Sequence, residues 1–287
     1  MALPLTDVVA NAVMMSALYA LVAIGFTLIF GVGGVLNLAH GATVTIGAFS
    51  AYYVSEVFGY SIWIGALAAL LVPALFSAAL YKGMIQRVED DPITVMILTL
   101  VTAIAVEEII KTGFGTQPAV ISSLLTGQVS IAGGIQANNL LVFALSWVII
   151  GLLFFAVNYT KTGKAILATS MSTKGASLVG IESDRMYLYT WVLAGAFAGL
   201  AGLFLGSIQT ASWSMGRSPL VLSFSIVVLG GIGSIRGSVI GAYIIGFLET
   251  FTMSYVDSSL SGLASLVVLV LILLAKPEGL FGRELTE

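Results

Sequence analysis

Of the 287 residues, 11 are Lys or Arg and 14 are Asp or Glu, so 9% are charged, whereas 59% are hydrophobic. An ordinary soluble domain carries roughly 25% charge, and so few charges cannot cover a soluble surface of this size, which excludes a soluble enzyme and a disordered chain. A net charge of −3 offers no basic field to nucleic acid, and the lack of cysteine removes disulfides, thiolate metal sites and Cys nucleophiles.

Apolar segments near the length of a membrane-spanning helix recur at about 8–30, 38–57, 61–81, 93–111, 139–158, 187–206, 219–235, 238–256 and 259–275. The expected fold class is all-α: one polytopic transmembrane domain over 1–287 with about eight or nine spans, some broken by glycines. Ten-residue alternation of apolar and polar positions is absent, which excludes a barrel. Helices are then the only way to satisfy backbone groups in hydrocarbon. The start, Met1 to Asp7, carries no positive region, so the first segment reads as a retained span. Segments 38–57 and 219–235 are rich in Gly and are the candidates for interruption.

Between the first two segments runs Gly31-Val-Gly-Gly-Val-Leu-Asn37-Leu-Ala-His40-Gly41. On a helix, Asn37 and the sole histidine, His40, share a face. Two readings stand side by side. One is an unwound helix contacting substrate near the midplane; the other is close glycine packing, with Asn37 and His40 hydrogen-bonding between helices. Further on, Glu107 and Lys111 have the spacing of a local i, i+4 ion pair. Loop 112–138 is uncharged, and its Val-Ile-Ser and Val-Ser-Ile-Ala-Gly stretches, separated by Thr126-Gly127, suit a small hairpin. Loop 159–186 has another character: Ala165, Ile166, Ala168 and Thr169, then Ala176, Leu178 and Val179, suggest one or two short amphipathic helices among basic residues. Such a loop either docks a soluble partner or is a solvated connector.

The run Gly230-Gly231-Ile-Gly233-Ser234-Ile-Arg236-Gly237-Ser238 loosely echoes the first glycine-rich run, as in internally repeated transporters. Glu249 falls within the eighth segment, where a carboxylate costs a few kcal/mol. It is expected to face a cavity, a partner or a subunit contact, or to be paired or protonated between helices. Basic residues set the orientation. Lys82, Arg87, Lys161, Lys164, Lys174, Arg185, Arg236, Lys276 and Arg283 fall on one side of a nine-span arrangement, and Lys111 and Arg217 on the other. The expectation is an outside N terminus, an inside C terminus and a cytoplasmic loop 159–186. One His and no Cys leave no metal cluster, the 231–237 run misses the dinucleotide spacing, and no P-loop motif occurs. An enzyme is not expected.

Four stretches, in this order, resemble the motifs of permeases from branched-chain amino acid ABC importers. They are Gly25–Gly41, Gly163-Lys-Ala-Ile-Leu-Ala-Thr169 continued by Gly180-Ile181, Leu229–Gly237, and the closing Lys276-Pro-Glu-Gly-Leu-Phe-Gly282. The length and the Asn37–Gly41 run are most similar to the shorter of the two permease types. The resemblance implies a multi-pass cell-membrane subunit that translocates branched-chain or related small amino acids. It implies a second, usually non-identical permease, two cytoplasmic ATP-binding subunits and an extracytoplasmic binding protein as partners. No cofactor is implied in this chain itself, ATP being used by the partners.

The same resemblance places Gly163, Lys164, Ala168, Thr169, Gly180 and Ile181 in the loop that contacts the ATPase. It places Asn37, His40 and Gly41 in a central broken helix, a candidate substrate path together with Glu249. Outside, loop 112–138 and the 207–218 turn, with Trp213 and Arg217, would receive the binding protein. One departure is the stretch Ser170-Met-Ser-Thr173, which has no acidic residue where the family loop usually carries one. Urea and short-amide permeases share these motifs and remain an alternative. So does an ion-coupled secondary transporter or channel, with Glu249 and His40 as a relay.

Overall fold

A computed structural model describes residues 4–129, 134–257, 260–276 and 279–281. The elements in order are α1 (Leu5–Gly33), α2 (His40–Tyr52), α3 (Ile62–Gly83), α4 (Pro92–Phe114), strands β1 (Gln128–Val129) and β2 (Ile135–Gln136), α5 (Ala137–Tyr159), α6 (Lys161–Met171), α7 (Thr173–Leu178), α8 (Ser183–Ile208), α9 (Arg217–Gly230), α10 (Ile235–Tyr255) and α11 (Leu263–Ala275). The all-α polytopic class expected from composition is the class observed.

The span count differs from expectation. Among the described residues six helices are long and apolar enough to cross a membrane, namely α1, α3, α4, α5, α8 and α10, rather than eight or nine. The other three expected segments are helical but short: α2, α9 and α11 have 13, 14 and 13 residues. At 1.5 Å per residue each reaches about 20 Å, against a hydrocarbon core of about 30 Å. Hydropathy registers an apolar residue whether its backbone is helical or extended, so it counted residues 38–39 before α2, 231–234 after α9 and 261–262 before α11 as helix. A π-helical turn, Tyr53–Val57, lengthens α2 at its far end.

Two helices form the centre. The most apolar stretch of α1 is 83% buried and that of α8 67%, against 17–28% for α3, α4 and α5, whose outer faces are free for lipid. Lipid tails are as apolar as leucine, so helices in a membrane associate by close packing rather than by hydrophobic burial. On α8 the glycines at 195, 199, 202 and 206 form the stripe that allows this. A Cβ at Gly195 or Gly199 would run into the α3 backbone around Pro73, and one at Gly202 would meet the Val44 carbonyl of α2. α1 lies antiparallel to α10 by the same device, with Gly246 against Ser16 and Gly31 against Gly233, and a buried Thr27–Ser238 hydroxyl pair at 2.6 Å between them.

These pairings separate the two ends of the bundle. The ends of α1, α3, α5 and α9 gather with the starts of α8 and α10, joined by Gln86 donating to Asp184 at 2.9 Å and by the Gly31–Gly233 contact. This end carries Lys82, Arg87, Lys161, Lys164, Lys174, Arg185, Arg236 and Lys276. Arg283 lies outside the described residues. At the opposite end Lys111 and Arg217 stack over the Trp213 ring, 5.4 and 5.0 Å from its centre.

Two local expectations are corrected there. Lys111 pairs with Glu108 at 3.2 Å, not with Glu107, because Glu107 points inward and is taken by Arg217 at 2.6 Å. The hairpin forms later than expected, with Gln128 opposite Gln136 and Val129 opposite Ile135; its turn, 130–133, lies outside the described residues. The Val120-Ile-Ser stretch is instead held to the bundle. Ala119 bridges to Ala211, Ser122 N–H donates to Glu56 at 3.0 Å, and Leu124 N–H donates to Asn138 at 2.9 Å.

The glycine stripe gives a direct test. Gly199→Val places atoms where the Ala69 carbonyl and the Pro73 ring already stand, at an overpacking cost of about 1–3 kcal/mol or more. Its thermal midpoint in detergent should fall well below that of Gly113→Ala, a position with no neighbour within 4 Å, which should match the parent chain.

Candidate functional site

The first break begins at Gly34, which ends α1 in the left-handed conformation (φ 66°) with its N–H on the Phe30 carbonyl. The chain then turns back into the bundle without helical bonds until His40. Unwound backbone at membrane depth survives only where protein groups satisfy it. Here Thr99 of α4 supplies its hydroxyl to Leu38 N–H at 3.1 Å, and Asn37 Oδ1 accepts from Ala39 N–H at 3.0 Å. Asn37 thus closes an Asx turn just ahead of α2.

His40 is 1% exposed. Its Nε2 donates to the Val22 carbonyl at 3.0 Å, and its ring stands edge-on to Phe26 at 5.7 Å. Gly25 leaves room for it, since a Cβ there would lie 2.9 Å from the imidazole. Asn37 and His40 are therefore spent on holding the break in place.

The second break precedes α9 and meets the first. Gly41, in the first turn of α2, and Gly216, just before α9, lie backbone to backbone, each occupying the space a Cβ of the other would need. Gly216 N–H donates to Thr45 Oγ1 of α2 at 3.1 Å, and the Thr45 hydroxyl donates to the Gly41 carbonyl at 3.3 Å. Two helix starts therefore converge inside the bundle. Gly41 and Gly216 lie in the wall of a cavity of about 250 Å³. Of Asn37, His40, Gly41 and Glu249, Gly41 is the one that lines this cavity. Thr45, Thr99 and Gly216 carry the construction, and nothing in their local sequence distinguished them.

Glu249 caps a helix. Fully buried in α10, it accepts from Ser261 Oγ at 2.6 Å, Gly262 N–H at 2.7 Å and Ser265 Oγ at 3.1 Å. Those donors are the start of α11, where a carboxylate meets the positive end of the helix dipole. The carboxyl is paired between helices rather than aimed at a cavity.

At the basic end the glycine-rich motifs meet. Gly31 touches Gly233, and Gly279 sits against Val228 and Gly231. Leu280 and Phe281 N–H groups donate to the Leu229 and Gly230 carbonyls at 2.8 and 3.1 Å, so the closing segment caps α9. Pro277, Glu278 and Gly282 of that motif lie outside the described residues. A cavity of about 210 Å³ nearby includes Glu89, Asp90 and Asp184. Burial holds the Glu89 carboxyl above the usual carboxylate range, against the opposing hydrogen bond from Tyr81.

Loop 159–186 folds into two short helices, as its pattern suggested. Thr160 caps α6 by accepting from Gly163 N–H at 3.0 Å, and Ser172 caps α7 by accepting from Gly175 N–H at 2.9 Å. Gly163, Ile166 and Thr169 are buried, with Gly163 pressed on Ala156 and Val157 of α5. Lys164 and Gly180 are exposed, and Ala168 and Ile181 half-buried. The residues that the sequence reading passed over, or named only for periodicity, are the exposed apolar ones: Met171, Leu178 and Val179, 71%, 81% and 74% exposed.

Glu249→Ala would leave three donors without an acceptor, at a cost of about 1–3 kcal/mol. The thermal midpoint of the purified chain should drop accordingly, with Glu249→Gln losing less because an amide oxygen still accepts.

The whole chain resembles known permeases. Residues 8–275 match the family model described as branched-chain amino acid transport system / permease component. The high-affinity branched-chain amino acid transport system permease protein LivH of Escherichia coli K12 is 30% identical, over 95% of this chain and 94% of that protein. The corresponding protein BraD of Pseudomonas aeruginosa is 26% identical, over 95% and 94%. Among solved structures, PsaBC from Streptococcus pneumoniae in complex with Fab shares the fold, with a TM-score of 0.53 at 14% identity over 96% of this chain and 94% of that one. The glycine runs that meet at Gly31, Gly233 and Gly279 thus sit in a multi-pass membrane protein that belongs to the branched-chain amino acid transport permease family.

Proposed function

We propose that the chain is one of two permease subunits in an ATP-driven importer for branched-chain or related small amino acids, gripped on its cytoplasmic face by ATP-binding subunits. The observation that carries this reading is the α6–α7 surface. Met171, Leu178 and Val179 project from the basic end, where a membrane protein meets water, and exposed apolar side chains there call for a protein partner. Basic residues concentrate on the cytoplasmic side of membrane proteins, which supports an inside position for this surface and for Lys276 beyond α11. A binding protein would then deliver solute at the opposite end, around Trp213 and the segments joined at Ala119–Ala211.

The chain has no P-loop, so energy must arrive through contacts that differ between states. α6 is suited to transmit it. Its outward side faces the partner while Gly163, Ile166 and Thr169 are buried in the bundle, so a push on α6 reaches the helices beneath it. The acidic residue missing at 170–173 removes one ion pair from the docking surface but not its apolar part. The relay alternative is weakened, because the His40 ring and the Glu249 carboxylate are each engaged in holding helices together.

The chain contains no cysteine, so single cysteines report cleanly. With the permease expressed without its ATP-binding subunit, Leu178→Cys, exposed in the isolated chain, should react with a membrane-impermeant maleimide in inverted vesicles and not in intact cells; reaction from outside would defeat the orientation. Leu178→Asp should lower uptake about tenfold or more, as expected for loss of an interface anchor, and should reduce co-purification of the ATP-binding subunit without changing the melting of the permease.

A further inference from the structure

The cavity walled by Gly41 and Gly216 has an ion pair at its rim. Its sides are apolar, formed by Leu38, Leu100, Ile104 and Leu220, and Glu107 and Arg217 are the charged groups in its lining. Arg217 Nε donates to both Glu107 oxygens, at 3.0 and 3.1 Å, and Nη2 to Oε2 at 2.6 Å. The two partners are unequal in exposure: the Glu107 side chain is 13% exposed and that of Arg217 63%. Arg217 is the first residue of α9, where the helix dipole disfavours a cation, so the position is electrostatically costly unless anions are to be met there. Trp213 stacks beneath the guanidinium at 5.0 Å, which leaves the charge free to change partners without losing its seat.

We propose that the Glu107–Arg217 pair is the outer latch of this cavity, and that a zwitterionic α-amino acid with an aliphatic side chain opens it by exchange. The solute carboxylate takes Arg217, the solute ammonium takes Glu107, and the aliphatic chain lies against the apolar walls. Each charge keeps a counter-charge throughout, so the largely buried Glu107 carboxylate is never left unpaired beside the apolar walls, which is the expensive alternative. The volume of about 250 Å³ lies just under the range typical of drug-sized ligands, which suits a small solute. This inference rests on the functional reading above and adds the chemistry by which the solute is handled inside the permease.

The test uses the complete importer, expressed with its own partner subunits, and labelled leucine as the probe. Arg217→Cys should lower leucine uptake about tenfold or more. Added outside, a cationic methanethiosulfonate should restore most of that loss, while a neutral one of similar size should not. Glu107→Gln should raise the KM for leucine while leaving the melting temperature near that of the parent. A Glu107→Gln/Arg217→Gln double variant keeps a hydrogen-bonding link between α4 and α9 without charge, and it should remain impaired. Recovery of uptake in that double variant, or equal rescue by the neutral reagent, would assign the pair to packing and overturn the exchange while leaving the amino-acid reading intact. If the unmodified importer fails to accumulate leucine, the functional reading itself is wrong and the exchange falls with it.

Discussion

Backbone polar groups cannot be left bare in hydrocarbon, and this constraint shapes the centre of the molecule. Each of the two breaks exposes amides and carbonyls that an intact helix would have paired. Glycine at 41 and 216 brings the broken ends into direct backbone contact, close enough for the hydroxyl of Thr45 to serve both. Thr99 performs the same service for the other side of the first break. Irregular backbone is tolerated here because it is walled by helices and borders a cavity, not lipid.

The breaks also connect the two ends of the protein. α9 begins beside the cavity at Gly216 and ends at Gly230, where Leu280 and Phe281 hold its last carbonyls. α1 runs the full depth, receiving His40 at Val22 and ending against Gly233. Helices pressed together through glycine transmit displacement with little slack, because close-packed interiors deform poorly. A movement imposed at the basic end therefore has a short mechanical route to the level of the cavity.

Much of this was legible in the sequence, and the part that was not has a physical reason. Apolar run length gave the helical class, and the loop pattern gave α6 and α7. Charge placement put nine basic residues on one side, and the eight among the described residues gather at one end. The glycine-rich runs marked where helices break, yet hydropathy could not tell a full span from a shortened helix flanked by non-helical chain. Asn37, His40 and Glu249 stood out because polar groups are rare in such segments. Rarity signals cost, and the structure resolves that cost as turn closure, cross-bracing and capping: Asn37 closes the Asx turn ahead of α2, His40 ties α2 to α1, and Glu249 starts α11. Glu107 has two cationic options within reach, Lys111 in its own helix and Arg217 in a distant one, and sequence spacing sees only the first. Thr45 and Thr99 were invisible because a threonine in a membrane helix usually bonds its own turn.

The central claim is that two broken helices are held at membrane depth by threonine hydroxyls. Amide hydrogen exchange in lipid nanodiscs tests it most directly. Leu38 and Gly216 N–H groups should exchange as slowly as the helical amides of α1 beside them, since each donates to a threonine hydroxyl within the bundle. Exchange at the rate of the exposed Thr116 and Gln117 amides would show that these stretches are open to water, and would contradict the account.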